Sequence, residues 1–320
     1  MLKSIAFKSI FKNELNEFIQ YKHSIGYKYE KEIPIIKYID KVLFDINLKS
    51  KCITKETFMK LTKRISSNEA VHARKYSIVK EFCIYLISNN YKNIYYEDKK
   101  FHIINNYVPI IFNKDEITKL FETCDTLTKK HLNYKFYRLY YGYAIIIRLL
   151  YSCGLRASET LKIKFDDINF TESTIKIINS KGNVSRIIVM SDSMKICLQR
   201  YIYNFNINDG LIFVSSKEKA IETAYLWKYY KKVLRLSNLN VNSHIHDLRH
   251  MFANEAFNKM LEKGYDENVV IVYLYKFMGH TKVSDTEYYL HFTDYNKKKM
   301  IAYNQTFSKQ LYEGVDLTNE

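Results

Sequence analysis

Only two prolines and eight glycines punctuate the 320 residues. So few chain breakers argue against a many-turned β architecture and favour long helices. The five cysteines (Cys52, Cys83, Cys124, Cys153, Cys197) are odd in number, lie far apart and form no C-x-x-C pair, which argues against a disulfide framework or a cysteine-based zinc site. No run of about 18 apolar residues occurs, so a membrane-spanning helix is not expected. The opening Met1-Leu2-Lys3-Ser4-Ile5 leads into a mixed polar helix rather than a signal peptide, and the default expectation is a cytoplasmic protein. There is no internal repeat and no low-complexity linker.

What is present is apolar material in plenty, 47% of residues against 26% charged, the balance of a folded protein. Lys+Arg exceed Asp+Glu by 50 − 34 = 16. An excess of that size points to a polyanionic partner, either nucleic acid or an anionic membrane surface. Residues 1–112 hold 20 basic and 11 acidic residues and the remainder 30 and 23, so both halves are basic. The 29 tyrosines, with abundant Lys, Ile and Asn, are what an AT-rich coding sequence gives, and the tyrosine count alone carries no functional weight.

Along the chain, Leu15, Phe18 and Ile19 sit at helical spacing within Lys12–Tyr21, and Ile36, Ile39, Val42 and Leu43 repeat the pattern after Pro34. Thr54 can cap a short helix, and a longer one runs from about Asn68 to Ile87. Phe101–Phe112, with Pro109 and few charges, reads as a linker. Asn113 with Glu116 three residues on has the form of a capping box. A strongly apolar helix over about Phe136–Tyr151 ends near Gly154. Two short strands, Thr174–Ile178 and Ser185–Met190, flank a Ser180-Lys181-Gly182-Asn183 turn, a hairpin pattern. Helices return from about Asp192, with one more short strand near Leu211–Val214. The fold class expected is mainly α with a small antiparallel β-sheet.

Four clusters carry candidate chemistry: Gly154-Leu155-Arg156-Ala157-Ser158-Glu159, the Lys181 hairpin, His246-Asp247-Leu248-Arg249-His250, and Met278-Gly279-His280 followed by Tyr288-Tyr289-Leu290-His291. Singly each is weak. Together and in this order they closely resemble the tyrosine recombinase (phage integrase) family, including Xer-like and transposon-type site-specific recombinases. The resemblance covers the second half of the chain, and the N-terminal helices look like that family's core-binding domain. It implies a helical, SAM-like core-binding and DNA-binding domain at 1–105, a linker at 106–112, and a catalytic domain of the DNA breaking-rejoining fold at 113–320.

The chemistry can be followed residue by residue. Phosphoryl transfer builds negative charge on the non-bridging oxygens, and guanidinium groups, permanently charged and bidentate, suit it. Arg156 and Arg249 match the family's catalytic arginines. A cation just before a helix opposes the helix dipole, so Arg156 needs some reason other than helix stability. Tyr289 matches the nucleophile; with a phenol pKa of about 10 it needs help to lose its proton. His246 matches the general base or proton shuttle, and His280 a second histidine that hydrogen-bonds the scissile phosphate. Lys181 matches the general acid for the leaving 5′ oxygen, although a Lys beside Gly in a turn is also ordinary solvated punctuation. Tyr288 rivals Tyr289: neighbours on a helix point about 100° apart, so only one can face the phosphate. Family spacing and the Tyr289-x-His291 pattern favour Tyr289. His250, Glu159 and Asp247 are candidates for holding these groups in place. Asp166 and Asp167 read as a structural turn before a strand.

The resemblance implies a site-specific DNA recombinase or integrase that cuts and rejoins double-stranded DNA through a 3′-phosphotyrosyl intermediate. It implies no cofactor and no metal, a homotetramer on two recombination sites with a C-terminal stretch docking on a neighbouring protomer, a related recombinase or accessory protein as a further partner, and a bacterial, nucleoid-associated location with no membrane contact. A catalytically silent DNA-binding protein of the same fold is one alternative, and the complete set Arg156, Lys181, His246, Arg249, His280 and Tyr289 argues against it. A type IB topoisomerase shares the chemistry, but the histidine at 246 and the compact length favour a recombinase. A metal hydrolase is a remote alternative. His246 and His250 stand at i, i+4 as two zinc ligands would, but Asp247 replaces the glutamate that pattern wants and Arg249 would repel a dication.

Overall fold

A computed structural model describes residues 5–101, 107–178 and 185–280. The chain divides into two compact units, Met1–Tyr107 and Val108–Glu320.

The first unit contains α1 (Lys12–Ser24), α2 (Ile33–Ile46), α3 (Lys55–Thr62) and α4 (Glu69–Ser88). Local chemistry sets their ends. Pro34 lies in the first turn of α2, where its missing N–H costs nothing. Thr54 accepts from the Thr57 N–H, and Asn68 from the N–H groups of Ala70 and Val71. Each helix turns its apolar stripe inward: Leu15, Phe18 and Ile19 from α1, Ile36, Ile39 and Leu43 from α2, and Val79, Phe82 and Leu86 from α4. The Phe18 ring meets Phe82 and Tyr29 edge-on.

The second unit contains α5 (Lys114–Lys129), α6 (Tyr134–Cys153), the single turn α7 (Ala157–Thr160), β1 (Ile168–Asn169), β2 (Thr174–Ile177), β3 (Arg186–Val189), α8 (Asp192–Asn204), α9 (Thr223–Leu236), α10 (Asp247–Glu262) and α11 (Glu267–Met278). The architecture is mainly helical with one small antiparallel sheet, as the breaker-poor sequence leads one to expect. Asn113 and Glu116 form the reciprocal capping box, Glu116 N–H donating to Asn113 Oδ1 at 2.9 Å and Asn113 N–H to Glu116 Oε2 at 2.8 Å. Helix α6 buries nearly every residue from Ala144 to Leu150 and runs through the core.

It stops at Gly154, whose φ of +60° a side chain resists. A Cβ there would also lie 2.3 Å from the Phe252 ring. The sheet order is β1-β2-β3, with Ile168 opposite Ile175 and Ile175 opposite Ile188. Ile175 and Ile188 face the core, while Ile187 and Val189 face out, the period-two alternation of a half-buried strand. The stretch 211–214 is not a strand: Leu211 and Val214 make only isolated bridges, to Lys164 and Ala220, while Ile212 and Phe213 are buried. Its apolar run marks core burial rather than sheet pairing. Asp166 and Asp167 lie in a 3-10 turn before β1, where Asp167 Oδ2 accepts the Lys164 N–H. Among the described residues no helix is long and apolar enough to cross a membrane.

Candidate active site

The site is assembled where α6, α10 and α11 end or begin. Gly154 turns the chain out of α6 and leaves its carbonyl facing α10. Arg249, in the first turns of α10, is 1% exposed. Its Nη1 donates to Gly154 O at 2.5 Å and its Nη2 to Met278 O at 2.6 Å. The same Nη2 lies 2.9 Å from His280 Nε2. A guanidinium has no acceptor, so that contact requires Nε2 to accept and the imidazole proton to sit on Nδ1.

Arg156 precedes α7. Its Nη1 donates to Glu159 Oε1 at 2.7 Å and its Nη2 to Gly279 O at 2.7 Å. Its backbone N–H donates to Glu159 Oε2 at 2.9 Å. A third arginine, Arg186 at the start of β3, donates Nε to Phe277 O at 2.8 Å, Nη1 to Glu159 Oε1 at 3.1 Å and Nη2 to Glu159 Oε2 at 2.8 Å.

Three successive carbonyls at the C-terminal end of α11, those of Phe277, Met278 and Gly279, thus each receive a different arginine. A helix C-terminus leaves its last carbonyls without intrahelical donors and carries partial negative charge. Cations are drawn to it and fixed by it. This supplies the reason for a cation before α7: Arg156 is aimed at the end of α11. Gly279 itself adopts φ +62°, and a Cβ there would stand 3.0 Å from Cδ and Nη1 of Arg186.

The electrostatics follow. Two guanidiniums, Arg156 and Arg186, share the Glu159 carboxylate, and a third, Arg249, is held by carbonyls beside them. Burial alone would raise the Glu159 carboxyl, but the Arg186 side chain, the Arg156 N–H and the two guanidinium charges outweigh it and hold it at about 2. Burial, reinforced by Arg249 and Arg156, pushes the His280 imidazole down to about 3. Burial, with His246 and Arg249, takes His250 to about 3. Both rings are neutral at pH 7. The arrangement is a cationic, partly desolvated cluster suited to meeting an anion.

The structure brings Arg156, Arg249 and His280 into one cluster. His246, at the N-terminus of α10, is exposed, with its ring edge-on to His250 at 5.3 Å between centroids. Glu159 contacts Arg156 directly. Asp247 instead holds the loop ahead of α10, its Oδ2 accepting from His244 N–H at 2.9 Å and Ser243 Oγ at 3.1 Å. Lys181, Tyr288, Tyr289 and His291 lie outside the described residues. Among the described residues no group of three or more His, Cys, Asp or Glu is placed to hold a metal ion. Arg186 belongs to none of the four motifs that the sequence offers. Its partners are 27 residues upstream and 91 downstream, and no local pattern announces such a contact.

Comparison with known proteins agrees with this geometry. Residues 111–296, more than half of the chain, match the model of the phage integrase family. The tyrosine recombinase XerA of Pyrococcus horikoshii is 28% identical over 197 residues, 61% of this chain and 61% of its own length. A tyrosine recombinase of Pseudothermotoga lettingae is 29% identical over 257 residues, 79% and 82% of the two chains. The match thus spans about three fifths of XerA and more of the Pseudothermotoga relative. Among solved structures, the Tn1549 transposon integrase superposes with a TM-score of 0.61 at 13% identity, covering 90% of this chain and 98% of that one. The XerH site-specific recombinase gives 0.59 at 17% identity, covering 92% and 77%. These two likenesses speak for the fold. With residues 111–296 covered by the family model and relatives of the same kind extending beyond them, the chain belongs to the phage integrase family.

Proposed function

We propose that this protein is a site-specific DNA recombinase that cuts and rejoins duplex DNA through a phosphotyrosyl intermediate, with Val108–Glu320 as its catalytic unit and Met1–Tyr107 as its core-binding unit. The observation that carries the reading is the convergence of Arg156, Arg249 and neutral His280 on the C-terminal end of α11, with charge left over for a phosphate.

In this reading the Tyr289 phenolate oxygen attacks the scissile phosphorus. His246 takes the phenol proton, the bond from phosphorus to the 5′ oxygen breaks, and Lys181 returns a proton to that oxygen. The products are a 3′-phosphotyrosyl link and a 5′ hydroxyl. Arg156 and Arg249 stabilise the charge that develops on the non-bridging oxygens. The phosphotyrosyl bond retains the energy of the original linkage, and a 5′ hydroxyl from a partner duplex reverses the step.

Double-stranded DNA as partner is supported by several features. Both units are basic. Helix α9 carries Lys228, Lys231, Lys232 and Arg235 with no acidic residue, and exposes Tyr225 and Trp227. Related folds have been solved on DNA, XerH with difH substrate and the Tn1549 integrase with transposon right end DNA. A tetramer on two sites and a cytoplasmic, nucleoid-associated location belong to the same reading.

The test uses a duplex selected by the full-length protein from a random-sequence pool and then nicked near the cleavage position, so that the cut strand cannot be religated. Denaturing gels should show a covalent protein–DNA adduct. Tyr289→Phe should abolish it with duplex affinity retained, and Tyr288→Phe should not. Loss in Tyr288→Phe alone would move the nucleophile by one residue; no adduct on any selected duplex would overturn the reading.

A further inference from the structure

We propose that Arg186 is a positioning residue for strand cleavage: acting through Glu159 and the end of α11, it holds Arg156 in place and leaves the Arg156–Glu159 pair with a net positive charge, without meeting the phosphate itself. The inference rests on the recombinase reading above and assigns a third guanidinium to it.

Arg186 is turned wholly toward protein. All three of its guanidinium nitrogens are committed, Nε to Phe277 O and the two Nη to the two oxygens of Glu159. Its side chain is 7% exposed, against 18% for Arg156. A planar fork laid along both carboxylate oxygens fixes direction as well as distance, which a lysine cannot reproduce.

What it grips is what Arg156 uses. Glu159 Oε1 is shared between Nη1 of Arg156 and Nη1 of Arg186, and Oε2 between the Arg156 backbone N–H and Nη2 of Arg186. The carboxylate is thereby held at both oxygens and cannot swing. Charge matters as much as geometry. A lone Arg156–Glu159 pair would be neutral, whereas two guanidiniums on one carboxylate retain a net +1 beside the site. Arg186 also ties β3, which follows the segment carrying Lys181, to the turn that places Gly279 and His280. The missing side chain at Gly279 leaves the room its guanidinium occupies.

The experiment compares two versions of the selected, nicked duplex, one with an ordinary scissile phosphate and one with a methylphosphonate there. The methylphosphonate carries no negative charge for Arg156 to meet. Arg186→Met should slow adduct formation on phosphate by about a hundredfold, the scale of loss when a catalytic group is displaced by about 1 Å, with duplex affinity and helical circular dichroism retained. On methylphosphonate the deficit should largely vanish. The Arg156→Met/Arg186→Met double variant should be no slower on phosphate than Arg156→Met alone. Arg186→Lys, which keeps the charge but puts its donors on a single nitrogen, should fall between wild type and Arg186→Met in the same pattern.

An equal deficit on both duplexes would mean that Arg186 merely holds the fold and would overturn the proposal. Independent, multiplying losses in the double variant would make Arg186 a direct phosphate contact and overturn it too. Failure of the underlying reading is distinguishable: the wild type would then form no adduct, or Arg156→Met would cleave phosphate at the wild-type rate.

Discussion

Two glycines with nearly the same backbone conformation offer an internally controlled test of how tightly the arginine cluster is built. Gly210 has φ +64° and Gly279 φ +62°. A Cβ added at Gly210 meets no atom within 4 Å, whereas one at Gly279 lies 3.0 Å from Cδ and Nη1 of Arg186 and 3.2 Å from its Cζ. Alanine in the left-handed region costs about 1–2 kcal/mol, and its stiffer unfolded chain offsets about 0.4–1 kcal/mol of that. Gly210→Ala should therefore cost about 1 kcal/mol, or about 2–4 °C in a unit of this size. Gly279→Ala bears the same backbone cost and must also move the Arg186 guanidinium by a few tenths of an ångström. The Nη1 bond to Glu159, already 3.1 Å, would then be lost, a further loss of about 1.5–3 kcal/mol for a hydrogen bond to a charged group. The sum is about 3 kcal/mol, or about 6–12 °C. Thermal unfolding followed by far-ultraviolet circular dichroism reads both variants, and the adduct assay should show a cleavage defect in Gly279→Ala alone. Equal melting temperatures and equal cleavage for the two would refute the close packing of Arg186 on Gly279.

Other outcomes follow from the same contacts. Glu159→Ala leaves two nearly buried guanidiniums facing each other and should destabilise the catalytic unit by about 3–5 kcal/mol in urea unfolding. Glu159→Gln, which keeps the shape, should cost less. His250 and His280 have folded-state pKa values near 3, below the unfolded value of about 6.5. The unfolded chain therefore binds more protons between those limits. The stability these rings contribute is complete above about pH 6.5 and is lost as pH falls toward 3, with a slope of up to about 2.7 kcal/mol per pH unit for the pair. His250→Asn should halve that slope in unfolding measured from pH 7 to 4. Replacing Lys228, Lys232 and Arg235 together by glutamine should reduce the slope of log affinity against log salt by up to about 2.7, at about 0.9 per phosphate contact, as read by the fluorescence of Trp227, the one tryptophan in the chain.

Where local chemistry sets structure, the sequence was legible. Asn113 with Glu116, Thr54, Asn68 and Gly154 each mark a helix end through a hydrogen bond or a dihedral angle that one residue and its near neighbours determine. The strands β2 and β3 follow from the alternation of apolar residues in each. The run Leu211–Val214 misled because a short apolar stretch reads alike as a buried strand or as buried irregular chain, and the strand β1 is only two residues long. In the site, Arg156, Arg249 and His280 stand out because each belongs to a compact motif, and the fold places them together. Arg186 does not stand out. Its role depends on Glu159 and on the carbonyl of Phe277, groups joined to it only by tertiary folding, and an arginine opening a strand looks like an ordinary surface charge. Gly279 is half legible: a glycine after an apolar helix signals a C-cap, but its second duty, making room for a guanidinium, is written in another segment.

The choice of partners for the arginines bears on why such a cluster can still receive an anion. A buried charge must be stabilised or it costs several kcal/mol, and the obvious stabiliser, a carboxylate for each guanidinium, would cancel the field the site needs. Here the main-chain carbonyls of Gly154, Phe277, Met278 and Gly279 take most of that duty. Carbonyl dipoles orient a guanidinium and satisfy its donors without neutralising it. The Glu159 carboxylate is divided between two arginines, and the two inner histidines are held neutral by burial, reinforced by the charges around them. Positive charge is thus fixed in direction and left in excess at one end of α11, where, in the proposed reaction, the trigonal-bipyramidal phosphorus in flight between two oxygens would gain most from it. Rigidity and residual charge come from the same contacts, so a substitution that relaxes one should weaken the other.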